Sequence, residues 1–237
     1  MPGLTAVALM RYGGQEAPAH ESRHGKRRLA AGPPLPGYGQ SLRFAAPVPE
    51  ATIVDSMHAD LAAVAADFES ATSRLDALER VLSNEQWTRR PAEHGWSAIE
   101  CIQHLNLTAR ATLPRVKEGI AEARRTGAAA PVRYRRDFWG WLLWRGLRQP
   151  GRFKTKTAPA FVPDSHRPAS EIIAAFRQLQ VEHVACVRDS DGLAVDRVRI
   201  VSPFNERVRY SVYSALTILA VHQHRHFWQA ERAAAIA

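Results

Sequence analysis

The sequence predicts an all-α protein, a four-helix bundle with a long cross-connection between its second and third helices. Apolar residues recur at steps of three and four in four separate stretches, which is the period of a helix with one buried face. Residues 126–168, between the second and third stretches, are rich in proline, tryptophan and arginine and are too many for a simple turn. Four long helices with one large connection describe a helix bundle.

The N-terminal region differs in composition from the rest of the chain. Residues 1–48 are rich in proline, glycine, arginine and alanine, with "AAGPPLPGYGQ" in the middle and no sustained apolar period. This composition predicts a disordered leader and leaves residues 49–237 as the bundle domain. Met57 offers a second start of translation.

The first two helices are predicted from an apolar stripe and a capping box. The stripe of the first helix consists of Met57, Leu61, Val64, Phe68, Ala71, Leu75, Leu78 and Leu82. The segment "SNEQWTRRPAEHGWS" then breaks the period. Ser97 followed by Glu100 forms a capping box, so we expect a second helix from Ser97 to about Arg125, with a kink at Pro114.

The cross-connection and the last two helices follow. The stretch "FWGWLLWRGL" predicts a short helix from Phe138 to Leu147, flanked by extended chain. A third helix is expected from near Ser170 to "DSDG". After the irregular link "LAVDRVRIVSPFNERVRY", a fourth helix is expected from near Ser211 to the end of the chain.

Composition excludes several classes of protein. Hydrophobic residues make up 46 % of the chain and charged residues 23 %, as in ordinary globular proteins. Cys101 and Cys186 are far apart and outside any CxxC spacing, which argues against a disulfide framework and against a thiolate zinc site. Because no apolar run approaches the roughly 18 residues that span a bilayer, and no signal peptide is recognisable, we expect a cytoplasmic protein.

The net charge of +9 is concentrated in one segment. Residues 124–156 contain ten lysines and arginines against the single acid Asp137. The segment 133–154 within it has four interpretations: a lid that recognises an anionic substrate or thiol, a contact to an anionic membrane, a dimer seam, or a tryptophan cover packed on the bundle. Nucleic acid ranks last because no recognised nucleic-acid module accompanies the segment, and a membrane surface is not the expected partner.

The last helix carries histidines at a spacing that suits a metal ion. In "LAVHQHRHFWQAER", His222 and His226 are four residues apart, so a helix places them on one face. That face is otherwise mostly apolar, and His224 points to the opposite side at about 200°. Two imidazoles at this spacing can share one divalent ion.

The second helix offers a third ligand, His104, on a stripe that we expect to face inward. Each buried imidazole nitrogen without a partner costs about 1–3 kcal/mol, and coordination would satisfy one nitrogen of each ring. Three nitrogen ligands leave a divalent ion an open position, as in catalytic rather than structural sites. The alternative for each histidine is a hydrogen-bonded core residue.

Four further residues are weighed beside these histidines. Glu100 is a candidate base or an orienting partner of a ligand, or else the third residue of the capping box. Gln229, one turn after His226, is a candidate contact to a ligand imidazole or to substrate, or an ordinary polar residue near the terminus. Cys101 is expected to be a small packing residue, and His183 a core histidine rather than a fourth ligand.

Several motifs together resemble the DinB-like superfamily. These are "GWSAIECIQHL", with a Trp-Ser opening a helix and a histidine after it, and "YSALTILAVHQHRHFWQAER", with H-x-x-x-H followed by glutamine. The segments "FKTKTAPAFVP" and "SPFNERVRYSVYSAL" are also similar to linkers of that family. The resemblance covers about residues 52–235.

The resemblance implies a four-helix bundle with a three-histidine site for zinc or nickel, with iron or manganese as further options. On matching positions the ligands would be His104, His222 and His226. Members of the family include thiol-dependent transferases and isomerases, which use bacillithiol or mycothiol, and metal-dependent hydrolases. Many are dimers, and the family as a class does not bind DNA.

Two functions are therefore expected. The first is a metal-dependent enzyme, a thiol-dependent transferase or a hydrolase, that acts on a small-molecule substrate with a low-molecular-weight thiol as a candidate cofactor, and that forms a homodimer. The alternative is a helical bundle without catalytic activity that works through binding or dimerisation. A peripheral membrane protein is the third and weakest hypothesis.

Overall fold

The computed structural model describes residues 57–91, 95–148, 157–164 and 166–235. Within these ranges the chain is mostly helical, with six α-helices and one small two-stranded sheet, which confirms the all-α prediction. The predicted leader of residues 1–48 and the residues 149–156 of the basic segment lie outside the described residues. No helix among those described is long and apolar enough to cross a membrane.

Two helices precede the second long helix, although the sequence predicts only one helix in this part of the chain. Helix α1 spans Ala59–Val81 and buries the predicted apolar stripe. Its cap is His58, whose side chain accepts a hydrogen bond from the backbone N–H of Asp60. Helix α2, Asn84–Thr88, was not predicted. It begins at a capping box of Ser83 and Gln86 inside the stretch that sequence analysis assigned to a break.

Helix α3, Ala98–Thr126, begins and ends as its sequence dictates. The predicted capping box of Ser97 and Glu100 is present. The helix continues through Pro114 and ends at Gly127, whose φ of 63° is in the left-handed region that glycine adopts readily. Its buried residues extend from Ala98 to Ala123, so α3 contributes to both clusters of the apolar core.

Helix α4 spans Phe138–Leu147, as predicted. Its cap is Asp137, whose carboxylate accepts hydrogen bonds from the backbone N–H groups of Gly140 (3.2 Å) and Ser211 (2.6 Å) and from the Ser214 hydroxyl (2.9 Å). Gly140 lies directly against the Ser214 side chain. These contacts fix α4 to the start of the last helix.

The rest of the chain returns to the bundle through short elements. A single 3₁₀ turn, Pro159–Phe161, precedes helix α5, Ala169–Asp189. The link expected to be irregular contains two three-residue antiparallel strands, β1 (Arg199–Val201) and β2 (Arg209–Ser211), with Ile200 opposite Tyr210. Helix α6 then spans Val212–Ala235.

The four long helices pack side by side. Helices α1 and α3 each pack against both α5 and α6. The apolar core contains two clusters, one around Phe68, Leu113 and Leu216 and the other around Ile102, Phe176 and Phe227. The pairing of α3 with α6 brings their inward faces together, and these are the faces on which the predicted histidines lie.

The contact between α4 and α6 predicts opposite effects for two glycine substitutions. In Gly140→Ala the new methyl group overlaps the Ser214 side chain, so we expect a loss of about 1–3 kcal/mol in unfolding free energy. Gly146→Ala is the matched control in the same helix, because in the described part of the chain its added methyl group would have no atom within 4 Å other than those of its own stretch of helix. It should leave stability unchanged or raise it by up to about 1 kcal/mol. Denaturant unfolding measures both, and equal effects would contradict the packing described.

Candidate metal centre

Helices α3 and α6 bring three imidazoles to one point. His104 lies on α3, and His222 and His226 lie one turn apart on α6. The Nε2 atom of His222 lies 3.3 Å from that of His104 and 3.0 Å from that of His226. Each ring offers one nitrogen within 4.8 Å of those of the other two.

Burial keeps these imidazoles uncharged near neutral pH. It lowers the pKa of His222 to about 3, with a further contribution from the neighbouring His104. Burial also lowers the pKa of His226 well below its usual value. The pKa of His104 is lowered by burial against a smaller opposing effect of the Phe161 carbonyl. All three rings are therefore neutral bases with a lone pair, the form in which histidine binds metals.

A hydrogen bond outside the cluster sets the tautomer of His104. Its Nδ1 atom lies 2.7 Å from the carbonyl oxygen of Phe161. A carbonyl only accepts hydrogen bonds, so Nδ1 carries the proton and donates it. In the neutral ring the lone pair is then on Nε2, which faces His222 and His226.

Neutral rings alone leave the centre of the cluster unsatisfied. Each neutral imidazole has a single N–H group, and that of His104 is committed to Phe161. If His222 carries its proton on Nε2, this single N–H group must serve the lone pairs of both His104 and His226; if His226 donates to His222 instead, the lone pairs of His104 and His222 face each other. One cation accepts all three lone pairs at once.

The donor set fits a divalent metal ion. Two nitrogens bound about 2.0–2.1 Å from one tetrahedral ion lie about 3.4 Å apart. The distances of 3.0 and 3.3 Å between Nε2 atoms are close to that value. Imidazole nitrogens suit zinc, nickel and iron, so the residues present could hold such an ion.

Two residues that sequence analysis did not assign complete the site. The Trp96 ring lies over the cluster, with its centroid 4.9 Å from that of His104 and 5.9 Å from that of His226. Phe161 supplies the carbonyl that orients His104. In the sequence, Trp96 could be recognised only as the tryptophan of the Trp-Ser pair that opens the helix, without a role at the site. A backbone carbonyl has no sequence signal, because every residue carries one.

The comparison with known proteins decides the family. A family model described as the DinB superfamily matches residues 67–230, a range that includes His104, His222 and His226. The chain belongs to the DinB superfamily. No curated protein and no solved structure matches it.

The DinB assignment confirms the resemblance stated from the sequence motifs. The match begins within α1 and ends within α6, so it spans all four long helices. Family membership and the histidine cluster are both compatible with metal binding. Neither identifies a reaction.

Glu100 of this DinB chain is held by partners outside the histidine cluster. Its Oε2 atom accepts hydrogen bonds from the backbone N–H of Ser97 and from Nε of Arg90, both at 2.9 Å, and its Oε1 atom pairs with a second nitrogen of Arg90. Burial raises the pKa of Glu100, but the bonds from Arg90 and Ser97 outweigh this effect and lower it overall. These contacts favour the capping role among the two interpretations left open by the sequence.

Gln229 lies beside His226, one turn further along α6. Its side chain raises the pKa of His226, which indicates a favourable interaction with the ring. The contact falls short of a hydrogen bond, because Nδ1 of His226 is buried and has no hydrogen-bond partner among the described residues.

Cys101 and His183 lie outside the cluster that could hold an ion. Cys101 is a buried free thiol whose pKa burial raises to about 12, as suits a packing residue. His183 is buried on α5, stacked on Phe68, with its pKa lowered to about 4 by burial. The Leu179 carbonyl raises the pKa of His183 by less than burial lowers it. Among the described residues, neither ring nitrogen of His183 has a hydrogen-bond partner.

The contacts of Glu100 predict that Glu100→Gln lowers stability and leaves metal binding unchanged. The variant keeps an acceptor for Ser97 and loses the charge that pairs with Arg90, so the metal-free protein should lose about 1 kcal/mol at neutral pH, a small value because Arg90 is half exposed. The lowered pKa means that the charged carboxylate stabilises the fold above pH 4.5, and that this contribution is lost as the pH falls. Wild type and variant should therefore converge in acid.

Denaturant unfolding at several pH values and metal analysis make this test. A Glu100→Gln protein of unchanged stability that no longer binds metal would instead show that Glu100 acts on the histidine cluster.

Proposed function

We propose that this chain is a metal-dependent enzyme in which His104, His222 and His226 hold one divalent ion, and that it acts as a thiol-dependent transferase or a hydrolase on a small molecule. The observation that carries the proposal is the convergence of three neutral imidazoles, buried in His104 and His226 and half-buried in His222, with their Nε2 atoms directed at one another. Catalytic metal sites of this type use three protein ligands and keep one position for water or substrate.

The chain's own residues prepare the site for an ion. Phe161 holds His104 in the tautomer that presents Nε2, and the backbone of α6 fixes the spacing of His222 and His226. Trp96 covers the rings and limits their contact with water. When bound, a divalent ion with three imidazole ligands supplies a Lewis acid that lowers the pKa of a coordinated water or thiol.

Gln229 and Glu100 take different parts in this proposal. Gln229 is a positioning residue: its side-chain oxygen would accept the Nδ1–H of His226 once Nε2 binds the ion, and partners of this kind change metal affinity by about 10–100-fold. Glu100, the base considered from the sequence, supports the site indirectly by fixing the start of α3.

The remaining parts of the functional interpretation stay predictions. The packing of α1 and α3 against α5 and α6 supports a four-helix bundle whose long connection joins its second and third members. We also propose that residues 1–48 form a leader and residues 49–237 the domain. The protein would then be a cytoplasmic homodimer that binds zinc or nickel and uses a low-molecular-weight thiol.

Metal analysis with matched variants tests the proposal. The purified protein, stripped with a chelator and reloaded with zinc or nickel, should bind about one ion per chain and gain thermal stability. His226→Ala should reduce metal affinity at least about tenfold. His183→Leu is the control, because it removes another buried imidazole that lies outside the cluster, and it should keep the metal.

Activity is measured on the same proteins. Loss of thiol in the presence of an electrophile, and release of product from ester and amide substrates, should depend on the metal and disappear in His226→Ala. Wild-type protein that takes up no metal would contradict the proposal that the three histidines form a metal site. A stoichiometric metal without turnover would favour the alternative, a bundle that binds but does not catalyse.

A further inference from the structure

Helix α4 presents an apolar surface away from the bundle. Five large apolar side chains on this ten-residue helix are between 37 and 66 % exposed: Phe138, Trp139, Trp141, Leu142 and Leu143. The inward side consists of Gly140, Trp144 and Leu147, of which Trp144 and Leu147 pack on the core. We call the five exposed residues the α4 face. Exposed apolar clusters of this kind often mark interaction sites, whereas single exposed apolar residues are common on any protein surface.

The α4 face is held in place rather than loosely attached. Asp137 caps α4 and bonds to Ser211 and Ser214, and Gly140 lies against Ser214 at the start of α6. Trp144 is anchored between the guanidinium groups of Arg136, 4.0 Å from its centroid, and Arg148, at 4.8 Å. Turning the outer residues inward would require these contacts to break.

Positive charge surrounds the α4 face. Residues 133–148 contain five arginines and one acid, Asp137. The Asp137 carboxylate is occupied by three hydrogen bonds to the interior, and Arg135 and Arg145 are exposed. The surface therefore combines aromatic and aliphatic side chains with the exposed arginines Arg135 and Arg145, whereas Arg136 lies near Asp60 and Asp67 of helix α1.

This combination disfavours a second copy of the chain as the occupant. A symmetric pairing of two α4 faces would place Arg135 and Arg145 of one copy near the same residues of the other. The helix is also only about 15 Å long, and a stable dimer buries about 800 Å² on each partner. Leucine and phenylalanine among the exposed residues disfavour nucleic acid, which pairs with aromatic and cationic groups.

We propose that the α4 face docks on the surface of an anionic lipid bilayer. The helix lies in the plane of the interface, with Trp139, Leu142 and Leu143 between headgroups and acyl chains and the arginines against lipid phosphates. From the sequence, a peripheral membrane protein was the third and weakest hypothesis, and a tryptophan cover packed on the bundle was an equal alternative for this segment. That alternative holds for Trp144 and not for the other two tryptophans of this helix.

Vesicle sedimentation with the full-length chain tests the proposal. The protein should bind vesicles of phosphatidylcholine with phosphatidylglycerol, should bind vesicles of phosphatidylcholine alone at least about tenfold more weakly, and should be released by salt. Failure to bind the anionic vesicles would overturn the proposal.

Matched pairs of variants locate the contact. Trp139→Ser with Leu142→Ser should reduce binding at least about tenfold, whereas Val181→Ser with Trp228→Ser, which removes two exposed apolar side chains elsewhere, should not. Arg135→Gln with Arg145→Gln should also reduce vesicle binding at least about tenfold. The control pair, Arg80→Gln with Arg207→Gln, changes the net charge equally and should not reduce it. Equal binding by test and control pairs would overturn the proposal.

Two measurements distinguish membrane docking from misfolding of the variants and from self-association. Each variant should keep the metal content and melting temperature of wild type, because α4 packs on the start of α6 and not on the histidines. Sedimentation velocity without lipid should give the same oligomeric state for all variants. If the protein is a dimer that only the α4 variants dissociate, the α4 face binds a second copy of the chain instead. If the protein binds nucleic acid and the same variants lose this binding, the α4 face binds nucleic acid instead.

Discussion

The convergence of three uncharged imidazoles between α3 and α6 is the constraint on which the account depends. Burial lowers the pKa values of His104, His222 and His226, so the rings keep their lone pairs at neutral pH instead of repelling one another as cations. The same burial leaves their facing nitrogens short of hydrogen bonds. An arrangement that is unfavourable for the protein alone would be favourable for a bound cation, and our proposal that the three histidines hold a metal ion rests on this difference.

The long cross-connection contributes to the structure at two places along α6. Its first part carries Asp137, which fixes α4 to Ser211 and Ser214 where α6 begins. Its last part returns as a 3₁₀ turn whose Phe161 carbonyl orients His104 opposite the middle of α6. The α4 face and the histidine cluster therefore lie next to separate parts of α6: helix α4 packs on its start, and His104 lies against its middle. A contact made at the α4 face would not involve the histidines.

Elements with a repeated local signal could be predicted from the sequence, and contacts made by single groups could not. The apolar stripes and the Ser97 capping box predicted the long helices, and the spacing of His222 and His226 placed both on one face. The strands β1 and β2 have three residues each, too few for an alternating pattern to be recognised. The sequence could not reveal which carbonyl faces His104, because this depends on how distant segments pack. It could not reveal that Arg90 pairs with Glu100, because the two residues lie on either side of a break between helices.

X-ray absorption spectroscopy of the metal-loaded protein tests the central claim most directly, because it reports which atoms surround the ion. We predict that the atoms bound to the ion include three imidazole nitrogens at about 2.0–2.1 Å, and that one of these nitrogens is lost in His104→Ala. A spectrum without imidazole scattering, or one that is the same in wild type and His104→Ala, would show that the ion is bound elsewhere and that the three histidines are only core residues.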